Sequence, residues 1–156
     1  MTQPSQSVAP KGPLLVMGVT QYCRVRGSET GGAYSVMEHF FPPGTGPAFL
    51  HAHPAQESIG IIEGSFELYA QSPKGKSSRK AGAGDIHHVA SNAPHGLKNV
   101  GDRPGRAFVV FHPADVQERF FEELHDFLSR HPGPPNFAAL APVFAKHGFV
   151  MIEHPP

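Results

Sequence analysis

From residue 13 to residue 112 the chain is cut into short segments by glycine, proline, asparagine and aspartate, and this punctuation constrains its fold more than any other feature. The segments between the cuts alternate, or favour β-branched and aromatic residues, at positions 14–19, 21–26, 34–41, 58–63, 65–70, 86–90 and 105–111. Turn signals such as Gly27-Ser28, Pro42-Pro43-Gly44, Glu63-Gly64, Pro73-Lys74-Gly75 and Gly101-Asp102 separate them. Short strands spaced roughly 8–12 residues apart predict an all-β sandwich or barrel. No stretch before Pro113 holds a helical period long enough for a βαβ unit.

The pattern changes after His112-Pro113. Over residues 114–130, Val116, Phe120, Phe121, Leu124, Phe127 and Leu128 fall on one helical face. Asp115 is the expected N-cap, with Glu118 three residues on completing a capping box. His131-Pro132-Gly133-Pro134-Pro135 ends that helix. Asn136 then caps a shorter helix carrying Phe137, Leu140, Val143 and Phe144, Gly148 closes it, and residues 149–152 return as a strand. The chain therefore divides into a flexible polar tail (1–12), a β-barrel (13–112) and a helical extension with its own tail (113–156), with no internal repeat.

Composition excludes several functions. Lys+Arg and Asp+Glu are 13 each, so the net charge is zero and no electrostatic footprint for nucleic acid exists. The single cysteine, Cys23, rules out an intramolecular disulfide framework and a thiolate zinc cluster, and reads as a small buried hydrophobe. No run of about 18 apolar residues is present to span a membrane. The start of the chain lacks a basic stretch, and the apolar run at 14–19 is too short for a signal peptide, so the expected compartment is the cytoplasm.

Histidine is abundant, at 11 of 156 residues, and abundance alone makes a chance His-x-His pair unremarkable: 154 × (11/156)² gives about 0.8. His51-Ala52-His53 followed by Glu57 lowers the chance figure to about 0.04, and Gly64 seven residues further lowers it to about 0.005. In an extended strand His51 and His53 point to one side while Leu50 and Ala52 point to the other. Pro54-Ala55-Gln56 turns the chain so that Glu57 opens the next strand, with Ile59 and Ile61 on its face. Two imidazoles and a carboxylate suit a borderline divalent metal and argue against a calcium cage. His95, after the turn Ser91-Asn92-Ala93-Pro94 and with Asn99 four residues on, is the best fourth ligand.

Residues 43–99 resemble the two motifs of the cupin superfamily. The first, G-x5-H-x-H-x3/4-E-x6-G, is met by His51, His53, Glu57 and Gly64, with Thr45 between Gly44 and Gly46 at its leading glycine. The second, G-x5-P-x-G-x2-H-x3-N, is met by Gly84, His95 and Asn99, with Ala90 at the usual proline and Asn92 at the usual glycine. Asparagine can take the positive φ that glycine supplies there. Residues 113–124 are similar to the ending of small single-domain bacterial cupins grouped with quercetin dioxygenases. The resemblance implies a jelly-roll barrel, and His51, His53, Glu57 and His95 as ligands of one divalent transition metal ion (Fe, Mn, Ni, Zn, Co or Cu). It also implies a homodimer paired through sheet edges and terminal segments.

Phe49, Ile59, Ile61, Leu97 and Asn99 share faces with these ligands and are the expected substrate pocket, whose apolar character favours an aromatic or aliphatic small molecule over a sugar phosphate. His87 and His88 are adjacent, so only one can face the interior, and Glu38 and His39 raise the same question. Arg79 and Lys80 are expected on an exposed loop, and His125, His131, His147 and His154 in solvent. The leading function is a metal-dependent dioxygenase-type oxidoreductase in which Glu57 shifts between ligand and general base. The alternatives are a non-catalytic or sensory binding module and an isomerase or lyase that uses the ion as a Lewis acid.

Overall fold

The computed structural model describes residues 12–153; the expected N-terminal tail, Gly12 apart, lies outside them, as does His154. Ten strands come first: β1 (Leu14–Val16), β2 (Val19–Val25), β3 (Ser35–Phe41), β4 (His51–Ala52), β5 (Gln56–Glu63), β6 (Ser65–Ser72), β7 (Gly75–Gly82), β8 (Ile86–Val89), β9 (His95–Asn99) and β10 (Gly105–His112). Helices α1 (Ala114–Arg130) and α2 (Phe137–Lys146) and a last strand, β11 (Val150–Met151), follow. The strands pair antiparallel into two sheets, ordered β1-β2-β3-β10-β5-β8 and β11-β4-β9-β6-β7. This is the jelly roll of the cupin fold with helices added at the C-terminus, as the strand spacing and the motifs predict.

Alternation decides which side chains fill the barrel. On β5 the inward residues are Glu57, Ile59 and Ile61, and on β10 they are Ala107, Val109 and Phe111. Phe41, Phe66 and Phe111 are almost wholly enclosed, each stabilising the fold by about 2–3 kcal/mol through burial. A second cluster of Phe120, Leu124, Leu140, Val143 and Phe144 joins the helices to Val16 of β1. No described helix is long and apolar enough to cross a membrane.

Three local expectations are corrected. Residues 14–19 are two strands, because Met17 (φ +48°) and Gly18 (φ +82°) make a two-residue turn that pairs Val16 with Val19; an apolar residue in the first turn position hides the break. Arg79 and Lys80 lie on β7, not on a loop. That strand is the edge of its sheet, and of its side chains Ala81 alone is buried, so it shows no apolar alternation, while its cations discourage further pairing. Helix α1 takes Pro113 as N-cap instead of Asp115. Glu118 accepts the Gly27 amide at 2.6 Å, which ties α1 to the β2–β3 connection. Gly27 is needed there, since a Cβ on it would lie 2.5 Å from that of Ala114. Asn136 caps α2 as expected, accepting the Ala139 amide.

Candidate metal centre

Three neighbouring strand starts bring the four candidate ligand side chains together. His51 on β4 and His95 on β9 are cross-strand partners with ring centroids 4.3 Å apart. His53, two residues past His51, is on the same side, its ring 4.9 Å from that of His95. The ligand nitrogens of the three histidines lie within 4.8 Å of one another. Glu57, the first inward residue of β5, places Oε2 3.4 Å from His53 Nε2 and Oε1 3.1 Å from His95 Nε2. All four residues are buried.

Backbone carbonyls set the orientation of every ring. His51 Nδ1 bonds Phe49 O at 3.1 Å, His53 Nδ1 bonds Ala55 O at 2.9 Å, and His95 Nδ1 bonds Ala93 O at 2.8 Å. A carbonyl only accepts, so each Nδ1 carries the proton and each Nε2 turns a lone pair to the common centre. The turns that supply these carbonyls are themselves braced: Asn92, at φ +58°, donates its amide to His53 O, and Ser91 Oγ donates to Pro54 O. Gly96 lets the 47–49 segment cross β9, because a Cβ there would lie 2.7 Å from Pro47 O.

The charge balance fits a cation. Burial pushes His51 down to about 3, so it is neutral at physiological pH. Burial alone would raise the Glu57 carboxyl, but contacts with His53 and His95 outweigh it and hold the group well below the ordinary carboxylate range. His95 Nε2 is buried without a hydrogen bond although a carboxylate oxygen stands beside it. Three lone pairs and an anion facing one point repel unless a proton or a metal ion lies between them. Donor type, count and spacing suit a borderline divalent ion, with bonds of about 2.0–2.2 Å.

The cluster forms part of the wall of a cavity of about 130 Å³ that is otherwise mostly apolar. Phe49, Ile59 and Leu97 line it. Ile61 does not; it packs in the barrel core. Asn99 does not either: its Nδ2 donates to Phe41 O (2.9 Å) and Arg103 O (2.8 Å), and its Oδ1 accepts the Gly101 amide. Glu38 points to the opposite face of its sheet, where Arg106 and Arg24 overcome the effect of burial and hold its carboxyl below the usual range. His39 is buried and lines the cavity. His87 is half-buried and bonded to Arg79, and His88 bonds Ser58; neither lines it.

Sequence reasoning missed several wall residues. Gln21 on β2 and Gln117 on α1 are buried in the cavity lining, and the signal was there: an amide within an otherwise apolar face. Phe149 stacks on His51 from the C-terminal segment. His147, expected in solvent, has a side chain 8% exposed and bonds Glu123 at 2.8 Å. Burial raises the Cys23 thiol to about 11, which leaves it inert.

The Cupin domain family matches residues 37–111, the stretch that carries His51, His53, Glu57 and His95. Among solved structures the chain is similar to the polyketide cyclase RemF of Streptomyces resistomycificus, with a TM-score of 0.54 and 17% identity over 72% of this chain and 80% of that one. It is similar also to the Cnp3 cupin domain of Schizosaccharomyces pombe (TM-score 0.54, 10% identity, 67% of each chain). A mutant of the Bacillus subtilis oxalate decarboxylase OxdC gives a TM-score of 0.57 and 21% identity over 67% of this chain and 28% of that one. At these identities the likeness is one of fold. No curated protein matches the sequence. The family match, the paired motifs and the fold together support the cupin superfamily for this chain.

Proposed function

We propose that this chain is a mononuclear metal-dependent enzyme acting on a small, mostly apolar organic molecule with about the bulk of one aromatic ring. One observation carries the reading: three imidazoles and a carboxylate are set into the wall of an apolar cavity of about 130 Å³. An apolar protein cavity of about 150 Å³ takes one benzene, so the space suits a single ring and is too small for a flavonol. A bound divalent ion supplies Lewis acidity there or, if redox-active, a centre for oxygen chemistry.

His51, His53 and His95 hold that ion through Nε2, each oriented by its backbone carbonyl. Glu57 is the one carboxylate among the described lining residues, and it is the group placed to accept a proton from substrate. Phe49, Ile59 and Leu97 position an apolar body, while Phe120 and Phe149 exclude water from the helical side. A dioxygenase-type oxidation is the favoured chemistry. Oxygen uptake by Fe(II)-loaded protein with monocyclic phenols tests it. Uptake with product formation supports it, and no uptake with Fe, Mn, Ni, Cu or Co defeats it. Turnover retained without oxygen assigns an isomerase or lyase, and binding without turnover in either atmosphere assigns a binding module.

A further inference from the structure

We propose that Gln21 and His39 form a polar subsite that binds a hydroxyl group on an otherwise apolar substrate. The inference rests on the apolar-substrate reading above and adds the functional group that such a substrate carries. Gln21 and His39 are register partners on β2 and β3, both point into the cavity, and they are 4% and 6% exposed. Gln21 Oε1 and His39 Nε2 are buried without a hydrogen-bond partner among the described residues. The His39 ring is set among Phe41, Phe111 and Phe121, at centroid distances of 5.7–6.5 Å, and these rings offer its Nε2 no partner. Burying unpaired polar atoms destabilises a fold, and such atoms facing a cavity mark a place where stability is given up for binding.

The two atoms select the ligand group. Gln21 Oε1 accepts, and His39 donates when the proton is on Nε2. A single hydroxyl satisfies both by donating to the amide oxygen and accepting from the imidazole. Burial keeps His39 neutral, its pKa lowered to about 4, so the subsite holds no cation to favour a carboxylate or a phosphate. The subsite is on the sheet that also carries Glu57 but is displaced along it: His39 stands four residues along β3 from Ser35, which shares the cross-strand row of Phe111 and Glu57. The metal and the hydroxyl subsite therefore hold the substrate at two separate points.

The test compares phenol with toluene, which have nearly the same shape but differ in the hydroxyl, on Zn(II)-loaded protein by calorimetric or NMR titration. The readout is the ratio of the two dissociation constants in wild type, Gln21→Leu and His39→Leu. Each substitution is expected to shift that ratio against phenol by roughly tenfold, the value of one neutral hydrogen bond, at unchanged zinc content. The variants are also expected to melt at or above the wild-type temperature, because an unpaired polar group has been replaced by an apolar one. An unchanged ratio overturns the inference and leaves the two groups to a resident water or to zinc-bound phenol. Lower melting with an unchanged ratio overturns it in favour of a structural role. If neither ligand binds wild-type protein, the apolar-substrate reading itself fails and takes the inference with it.

Discussion

The ring of Phe149 lies stacked on the imidazole of His51, with centroids 4.9 Å apart and planes 14° from parallel. Phe149 immediately precedes β11, whose Met151 is the register partner of His51. The same ring stacks on Phe120 at 5.0 Å and packs on Phe144 at 4.7 Å. The C-terminal segment, which lies beyond the matched cupin domain, thus links the helical layer directly to the His51 ring and fixes one wall of the candidate centre.

Replacing Phe149 with alanine removes that wall. We expect Phe149→Ala to destabilise the protein by about 2 kcal/mol, below the full cost for an enclosed phenylalanine because the residue is half-buried. Metal removal by a chelator should become faster, since His51 is then open to water. Urea unfolding and chelator kinetics check the two effects, and unchanged kinetics would show that the ring does not guard the site.

Asn99 separates a structural role from a ligand-binding one. Its side chain makes three hydrogen bonds to backbone groups and is 0% exposed. Asn99→Ala takes the side-chain donor from the Phe41 and Arg103 carbonyls, while the Gly101 amide keeps its bond to Ser65 O, with an expected loss of about 2–3 kcal/mol. Metal content per folded chain should be unchanged. Loss of metal at wild-type stability would return Asn99 to the site.

Much of the centre was legible because the strand period places alternate residues on one face: His51 with His53, and Glu57 with Ile59, follow from parity alone. Asn92 could be read as a turn residue because asparagine tolerates positive φ. What stayed hidden depends on contacts between distant segments. Nothing local to Phe149 announces that it will lie on His51, about a hundred residues earlier in the chain. The spacing that puts Asn99 on the face of His95 predicts a substrate contact, whereas its amide holds the ends of neighbouring strands. The polar strand β7 carries no apolar alternation to reveal it.

Gly96 tests how the ligand loop is supported. Alanine there brings a Cβ to 2.7 Å from Pro47 O and 3.0 Å from Phe49 O. Gly96→Ala is expected to cost about 2 kcal/mol from overpacking and to weaken metal binding, because it displaces Phe49, whose carbonyl orients His51, and adjoins His95. Thermal melting with metal titration checks both. Wild-type behaviour would show that the crossing is loose.

Burial also makes stability depend on pH. His51 is lowered to about 3 and His39 to about 4, against an ordinary 6.5. Between about 6.5 and 4 the unfolded metal-free chain therefore binds more protons than the folded one. Stability falls as pH falls, by up to about 1.4 kcal/mol per unit for each histidine. His95 shifts upward, since Glu57 outweighs the effect of burial. Its stabilising contribution is full below 6.5 and lost above, so it adds no slope in this window. Urea midpoints from pH 7 to 4 should decline, and less steeply for His39→Leu; a flat profile would contradict the burial of these rings.

We propose above all that His51, His53, Glu57 and His95 hold one divalent transition metal ion. Elemental analysis of protein purified without a histidine tag tests it directly. The predicted result is about one equivalent of metal per chain, falling to near zero in a folded His51→Ala/His53→Ala variant. A metal-free wild-type protein that takes up no added ion, or metal content unchanged in the variant, would contradict it.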